Sequence, residues 1–129
     1  MFKDELVITL KKGDNILKQW KVKANTWNST GKAAIRDALV DGGFDNISAM
    51  DAYDGTSYYE CDSISSSKPA TDQAKWTATW EATGEIAGIQ SFHIKQTAGG
   101  ADRVADVSVT SFTKPDGVSL EVQWTTTIS

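Results

Sequence analysis

Residues 119–129 read SLEVQWTTTIS, and their alternation decides the fold. Leu120, Val122, Trp124, Thr126 and Ile128 share one parity; Glu121, Gln123, Thr125 and Thr127 share the other. A period of two is the signature of a strand with one buried face. Val, Trp, Thr and Ile all suit a pleated surface. Pro115, Asp116 and Gly117 precede the stretch as a turn signal. Leu120, Val122, Trp124 and Ile128 need a sheet to cover them, so this is expected to be an inner strand and these four are core candidates.

Working outward, the same alternation recurs. Residues 73–83 set Ala74, Trp76, Ala78 and Trp80 against Lys75, Thr77, Thr79 and Glu81, which adds Trp76 and Trp80 to the expected core. Residues 89–96 place Phe92 and Ile94 on one parity. Residues 104–112 place Val107 and Val109 on one face. Residues 47–53 and 57–64 read as strands around an Asp54-Gly55-Thr56 turn, with a loop at 65–69. Residues 6–12 and 16–23, joined by Gly13-Asp14-Asn15, read as a hairpin. Lys18 shares the parity of Trp20 and Val22, which points to an edge position.

Residues 32–40 are the one helical stretch. Ile35, Ala38 and Leu39 form a narrow apolar stripe, and Ala33 and Ala34 favour helix intrinsically. Asn28, Ser29 and Thr30 are candidate caps. Gly42-Gly43 is the stop, and Phe44 is expected to fold back onto the stripe. The predicted architecture is mainly β: a β-sandwich or Greek-key barrel of about eight strands with one short helix. Residues 1–129 form one domain, and the hairpin at 1–23 is a candidate attachment element.

The 129 residues carry 40% hydrophobic and 23% charged side chains, proportions of a globular chain with a real core. The formal charge of −4 gives no overall attraction to nucleic acid or to anionic lipid. Lys11, Lys12, Lys18, Lys21 and Lys23 are read as a solvated or protected edge. Cys61 is the only cysteine, which leaves no intrachain disulfide and no cysteine-rich zinc site. Residues 1–12 carry early charges and no long apolar run, so neither a signal peptide nor a membrane span is expected, and synthesis in the cytosol is.

Chemistry-bearing motifs are sparse. His93 is the single histidine and is expected to be an exposed strand residue without a role. There is no G-x-S-x-G elbow and no phosphate-binding glycine loop. Asp51, Asp54, Glu60 and Asp62 are the densest acidic region. Calcium ligation there is weighed against an ordinary polar hairpin end, and the hairpin end is preferred. No metal and no cofactor is expected. Trp20, Trp27, Tyr53, Tyr58 and Tyr59 exceed what one small core needs and are candidate interface residues. Exposed aromatics on a β-sandwich also suit a sugar ring.

Four segments carry a resemblance: GKAAIRDALVDGG (31–43), ISAMDAYDGTS (47–57), KPATDQAKWTATWEATGEIAGI (68–89) and FTKPDGVSLEVQWTTTIS (112–129). Their order of helix and glycine stop, Gly-Thr turn, alternating strand and Trp-Thr-x-Thr-Ile ending resembles small tailed-bacteriophage virion proteins of the head-fibre and tail-fibre kind. The resemblance leaves the N-terminal hairpin unmatched and brings no catalytic residue. It implies a non-enzymatic structural subunit located in the virion. It further implies self-association and contact with capsid or tail proteins; a closed ring of copies, with a trimer expected, would also protect the strand edges that a sandwich leaves open. The alternative is a carbohydrate-binding module or receptor-binding domain whose partner is a host glycan.

Overall fold

A computed structural model describes residues 2–24, 27–42 and 46–128. The strands are β1 (Phe2–Lys12), β2 (Asn15–Ala24), β3 (Ala49–Tyr53), β4 (Tyr58–Glu60), β5 (Ser63–Ser67), β6 (Gln73–Trp80), β7 (Ile86–Lys95), β8 (Arg103–Lys114) and β9 (Ser119–Ile128). One helix, α1 (Ser29–Asp41), lies between β2 and β3. The strands fall into two antiparallel sheets, ordered β2-β1-β9-β6-β5 and β4-β3-β7-β8. The fold is therefore a β-sandwich rather than a closed barrel.

The terminal strand is the centre of the five-stranded sheet. β9 pairs with β1 on one side and β6 on the other, setting Trp124 opposite both Leu6 and Trp76. Leu6, Ile8, Leu120, Val122 and Trp124 are fully buried, and Met50, Phe92, Ile94 and Val107 of the other sheet complete the same core. Trp124 Nε1 donates to Asp4 Oδ1 at 3.2 Å, and Thr126 Oγ1 donates to the same oxygen at 2.6 Å. Two polar groups are thereby satisfied inside the apolar layer, where an unmet donor costs about 1–3 kcal/mol.

The N-terminal hairpin forms with Gly13 at φ +60° in its turn. Its β2 strand is an edge, as the lysines suggested. Its β1 strand is not, because it lies between β2 and β9 and carries Leu6 and Ile8 into the core. The hairpin is part of the sandwich, not an appendage that could be detached from it.

The described residues form nine strands where about eight were expected, because residues 57–64 are not one strand. Cys61 N–H donates to Met50 O and Asp62 N–H donates to Thr79 O, both at 2.8 Å. Successive residues thus bond to opposite sheets, and the chain turns a corner from β4 into β5. Ser65, Ser66 and Ser67, expected in a loop, pair with β6 in regular register. Ladder hydrogen bonds override the weak strand preference of serine here.

Helix α1 is longer at both ends than predicted. Asn28 is the N-cap, its side chain accepting from Gly31 N–H at 2.9 Å. Such a cap contributes about 1 kcal/mol. Gly42 ends the helix at φ +71°, donating its N–H to Ala38 O at 2.9 Å. The expected return of Phe44 lies outside the described residues. Among them no helix is long and apolar enough to cross a membrane.

Candidate functional site

Helix α1 closes one end of the sandwich and creates a groove there. Trp27 pairs with Ala105 of β8 in an isolated bridge, and Asn28 N–H donates to Val104 O at 3.1 Å. Asn28 Nδ2 donates to Arg103 O and to Asp106 Oδ1, each at 3.0 Å. The helix start is thus clamped to β8. Gly31 permits this approach, since a Cβ at that position would lie 2.2 Å from Val104 O. The body of the helix then stands over the ends of β1, β6 and β9. The cavity left between them has a volume of about 340 Å³ and is lined chiefly by Phe2, Trp27, Ile35, Leu39, Trp76 and Ile128. Phe2 meets Trp27 edge-on at 5.3 Å. Leu39 is 83% exposed and Val40 79%, so the apolar lining continues onto the open surface.

A second cluster occupies the outer face of the four-stranded sheet. Asp51, 1% exposed, meets Lys95 Nζ at 3.1 Å through Oδ1 and Arg103 at 2.7 Å through Oδ2. Lys95 also meets Glu60 Oε1 at 2.8 Å and donates to Gly100 O at 3.0 Å. Burial opposes the Lys95 charge, but its contacts with the Glu60 and Asp51 carboxylates outweigh that and raise its pKa. The Gly99 N–H, and then Lys95, hold Glu60 below the usual carboxylate range. Tyr58 is sandwiched, with Tyr53 stacked at 4.4 Å and the Arg103 guanidinium 3.5 Å from its ring centroid.

His93 is not the exposed residue expected. It is half-buried beneath the edges of Tyr53 and Tyr58, and its Nε2 lies 2.9 Å from Ser91 Oγ. Burial pushes its pKa down. Asp106, its cross-strand neighbour, accepts from Asn28 rather than completing a relay behind the imidazole.

The acidic region is similarly committed to internal partners. Asp51 and Glu60 are neutralised as above. Asp54 accepts from the N–H groups of Thr56 and Ser57 and from Tyr59 Oη, while Asp62 accepts from Glu81 N–H. Among the described residues no group of three or more His, Cys, Asp or Glu side chains is placed to hold a metal.

The structure divides the predicted aromatic set. Trp80 and Trp124 are buried, with Leu120 and Val122, as expected of core residues. Trp76 is only half-buried and faces the groove. Ile128, expected in the core, is 54% exposed, because at that end of β9 the facing layer is α1 with its open groove. Of the interface candidates, Trp27 lines the groove. Trp20 instead packs edge-on against Phe112 at 4.9 Å with Lys18 over its ring, joining β2 to β8 within the molecule. Tyr53, Tyr58 and Tyr59 lie at the β3–β4 corner. Phe2 and the Lys95–Asp51–Arg103 cluster carried no signal in the sequence: an N-terminal aromatic and scattered charges have no diagnostic spacing.

The class of molecule is thus an antiparallel β-sandwich with an end-capping helix and an apolar groove. No family model matches this chain, no curated protein matches it, and no solved structure matches it.

Proposed function

We propose that this chain is a non-enzymatic structural subunit of a phage virion that works by self-association and by docking onto capsid or tail proteins. The observation that carries the docking part is the groove under α1, continuous with exposed Leu39 and Val40. An apolar groove that runs on into exposed apolar side chains is the kind of patch that marks a site of contact. The virion setting rests on the resemblance of residues 31–129 to head-fibre and tail-fibre proteins. The test is recovery of the chain in multiple copies from purified particles of its source, with Leu39→Asp lowering incorporation while the isolated protein melts normally. Absence from particles overturns the proposal.

A glycan-binding reading is favoured by a different observation. A cavity of about 460 Å³ lies beside Tyr58, Tyr59 and Trp80, with Glu60, Asp62 and Glu81 on its rim. Aromatic rings and carboxylates are the groups that take sugar faces and hydroxyls. Tyr58 itself is poorly suited to stacking, since Tyr53 and Arg103 already flank its ring. Retention of a defined oligosaccharide by the monomeric protein, lost on Tyr59→Ala, would replace the structural reading with this one.

A further inference from the structure

We infer that β5 is the self-association edge of this protein and that two copies pair through it, antiparallel, about Ser65. The inference deepens the self-association part of the proposed function and rests on it.

The four outermost strands are not alike. β2 is long but carries Lys18, Lys21 and Lys23, and its pairing with β1 is interrupted by an irregularity at Leu10/Lys11. Lysine and bulges are the devices that keep an edge from recruiting another strand. β8 has Trp27 and the clamped start of α1 against its open side. β4 has only three residues. β5 has none of these protections. It is five residues long, SISSS, with no charge, no proline and no bulge in its ladder to β6. It terminates the five-stranded sheet, so among the described residues its outer backbone groups pair with no strand. Its serines are exposed.

The identity of the partner follows from what flanks the strand. In an antiparallel pairing centred on Ser65, Ile64 of one copy meets Ser66 of the other, and Ser63 meets Ser67. Continuing outward, Asp62 of each copy lies opposite Lys68 of the other. Both are exposed. The pairing therefore sets two opposite-charge contacts at the ends of an uncharged strand. Opposite charges directly across a ladder stabilise it, and like charges destabilise it. An isologous two-fold contact of this kind closes on itself and removes both edges at once. The result is one ten-stranded sheet running through two sandwiches. The groove under α1 involves β1, β6 and β9 rather than β5, and so remains available for a different partner.

The experiment is site-specific cross-linking combined with sedimentation of the full chain. With Cys61→Ser removing the native thiol, Ser65→Cys places two thiols across the two-fold, at the Cα separation of about 4.4–6.8 Å that a disulfide spans. Oxidation should give a covalent dimer. Ser63→Cys, four positions from the residue it would have to meet, should not cross-link. Ser65→Lys sets two ammonium groups face to face and should weaken the dimer about tenfold or more with an unchanged melting curve. Lys68→Glu should weaken it as well by opposing Asp62. An oligomer that persists in Ser65→Lys and yields no 65–65 disulfide overturns the β5 pairing and leaves self-association through another surface standing. A wild-type chain that is strictly monomeric at high concentration overturns self-association and the β5 pairing together.

Discussion

Gly31→Ala opposes two well-known effects and so tests the clamp between α1 and β8. Gly31 is the third residue of α1, and its φ is not in the left-handed region, so alanine is allowed by the backbone. By propensity alone the change stabilises a helix by up to about 1 kcal/mol. The surroundings argue otherwise. The added Cβ would sit 2.2 Å from Val104 O, 2.8 Å from a ring carbon of Trp27 and 3.0 Å from Val104 C. A carbon and a carbonyl oxygen approach no closer than about 3.3 Å even in a favourable contact. The helix start must therefore retreat by about 1 Å. Val104 O also accepts from Asn28 N–H at 3.1 Å, so that retreat strains the bond that fixes the helix. Losing it costs about 1 kcal/mol, and forcing a methyl into a filled site costs about 1–3 kcal/mol. After the propensity gain, the net expectation is destabilisation by about 1–3 kcal/mol. Urea denaturation should show a lower midpoint with an unchanged slope. A midpoint that rises by the propensity amount would refute the clamp, because α1 could not then press on β8 as described.

Other perturbations report on other layers. Trp124→Ala empties the largest buried site and strands Asp4 without one of its donors, so it should destabilise by about 3–5 kcal/mol in the same assay. Asp51→Ala removes the carboxylate that Arg103 meets and one of the two that Lys95 meets, leaving Lys95 with Glu60, so in the same assay it should destabilise by less than the about 3–5 kcal/mol of stripping a buried charge of every partner. His93 is held neutral by burial, its folded pKa lying below its ordinary 6.5. Between those two values the unfolded chain binds the extra proton, so stability should fall as pH drops below about 6.5 and level off below the folded pKa. Thermal melts of His93→Asn across that window should lose this slope; an unchanged slope would assign it to other groups.

The sandwich was legible wherever one face of a strand is buried against a flat layer. β9 and β6 show this: alternation assigned Leu120, Val122, Trp124 and Trp80 to the core, and all four are buried. Legibility failed where the layer changes. Cys61 and Asp62 turn a corner between sheets through backbone hydrogen bonds, and their side chains advertise nothing of it. In β7 the register with β8 shifts at Ile86/Ile89, Ile89/Ser91 and Ile94/Lys95. The shifts before Ser91 bring Ile89 inward together with Phe92 and Ile94 despite their mixed parity. A bulge resets the phase, and the mark it left here was Gly88, at φ +70° inside the first of these shifts.

The aromatic surplus shows why surface function was harder to read than the core. A count of tryptophans and tyrosines registers apolar area but not where the chain uses it. Trp20 spends its ring closing β2 onto β8 through Phe112, and Tyr58 is held between Tyr53 and Arg103. Neither ring is free in the way an interface aromatic is. The apolar area around the groove comes instead from residues whose local pattern looked ordinary: Phe2 at the start of β1, Leu39 and Val40 near a helix end, Ile128 at the end of β9. Each is exposed or groove-lining because it lies where the two-sheet core stops and a single helix takes over as the facing layer. A helix clamped at its N-terminal end by Asn28 and Gly31 covers that opening only in part. The groove is therefore a consequence of how α1 is attached, and moving the clamp should alter docking as directly as changing the groove's own side chains.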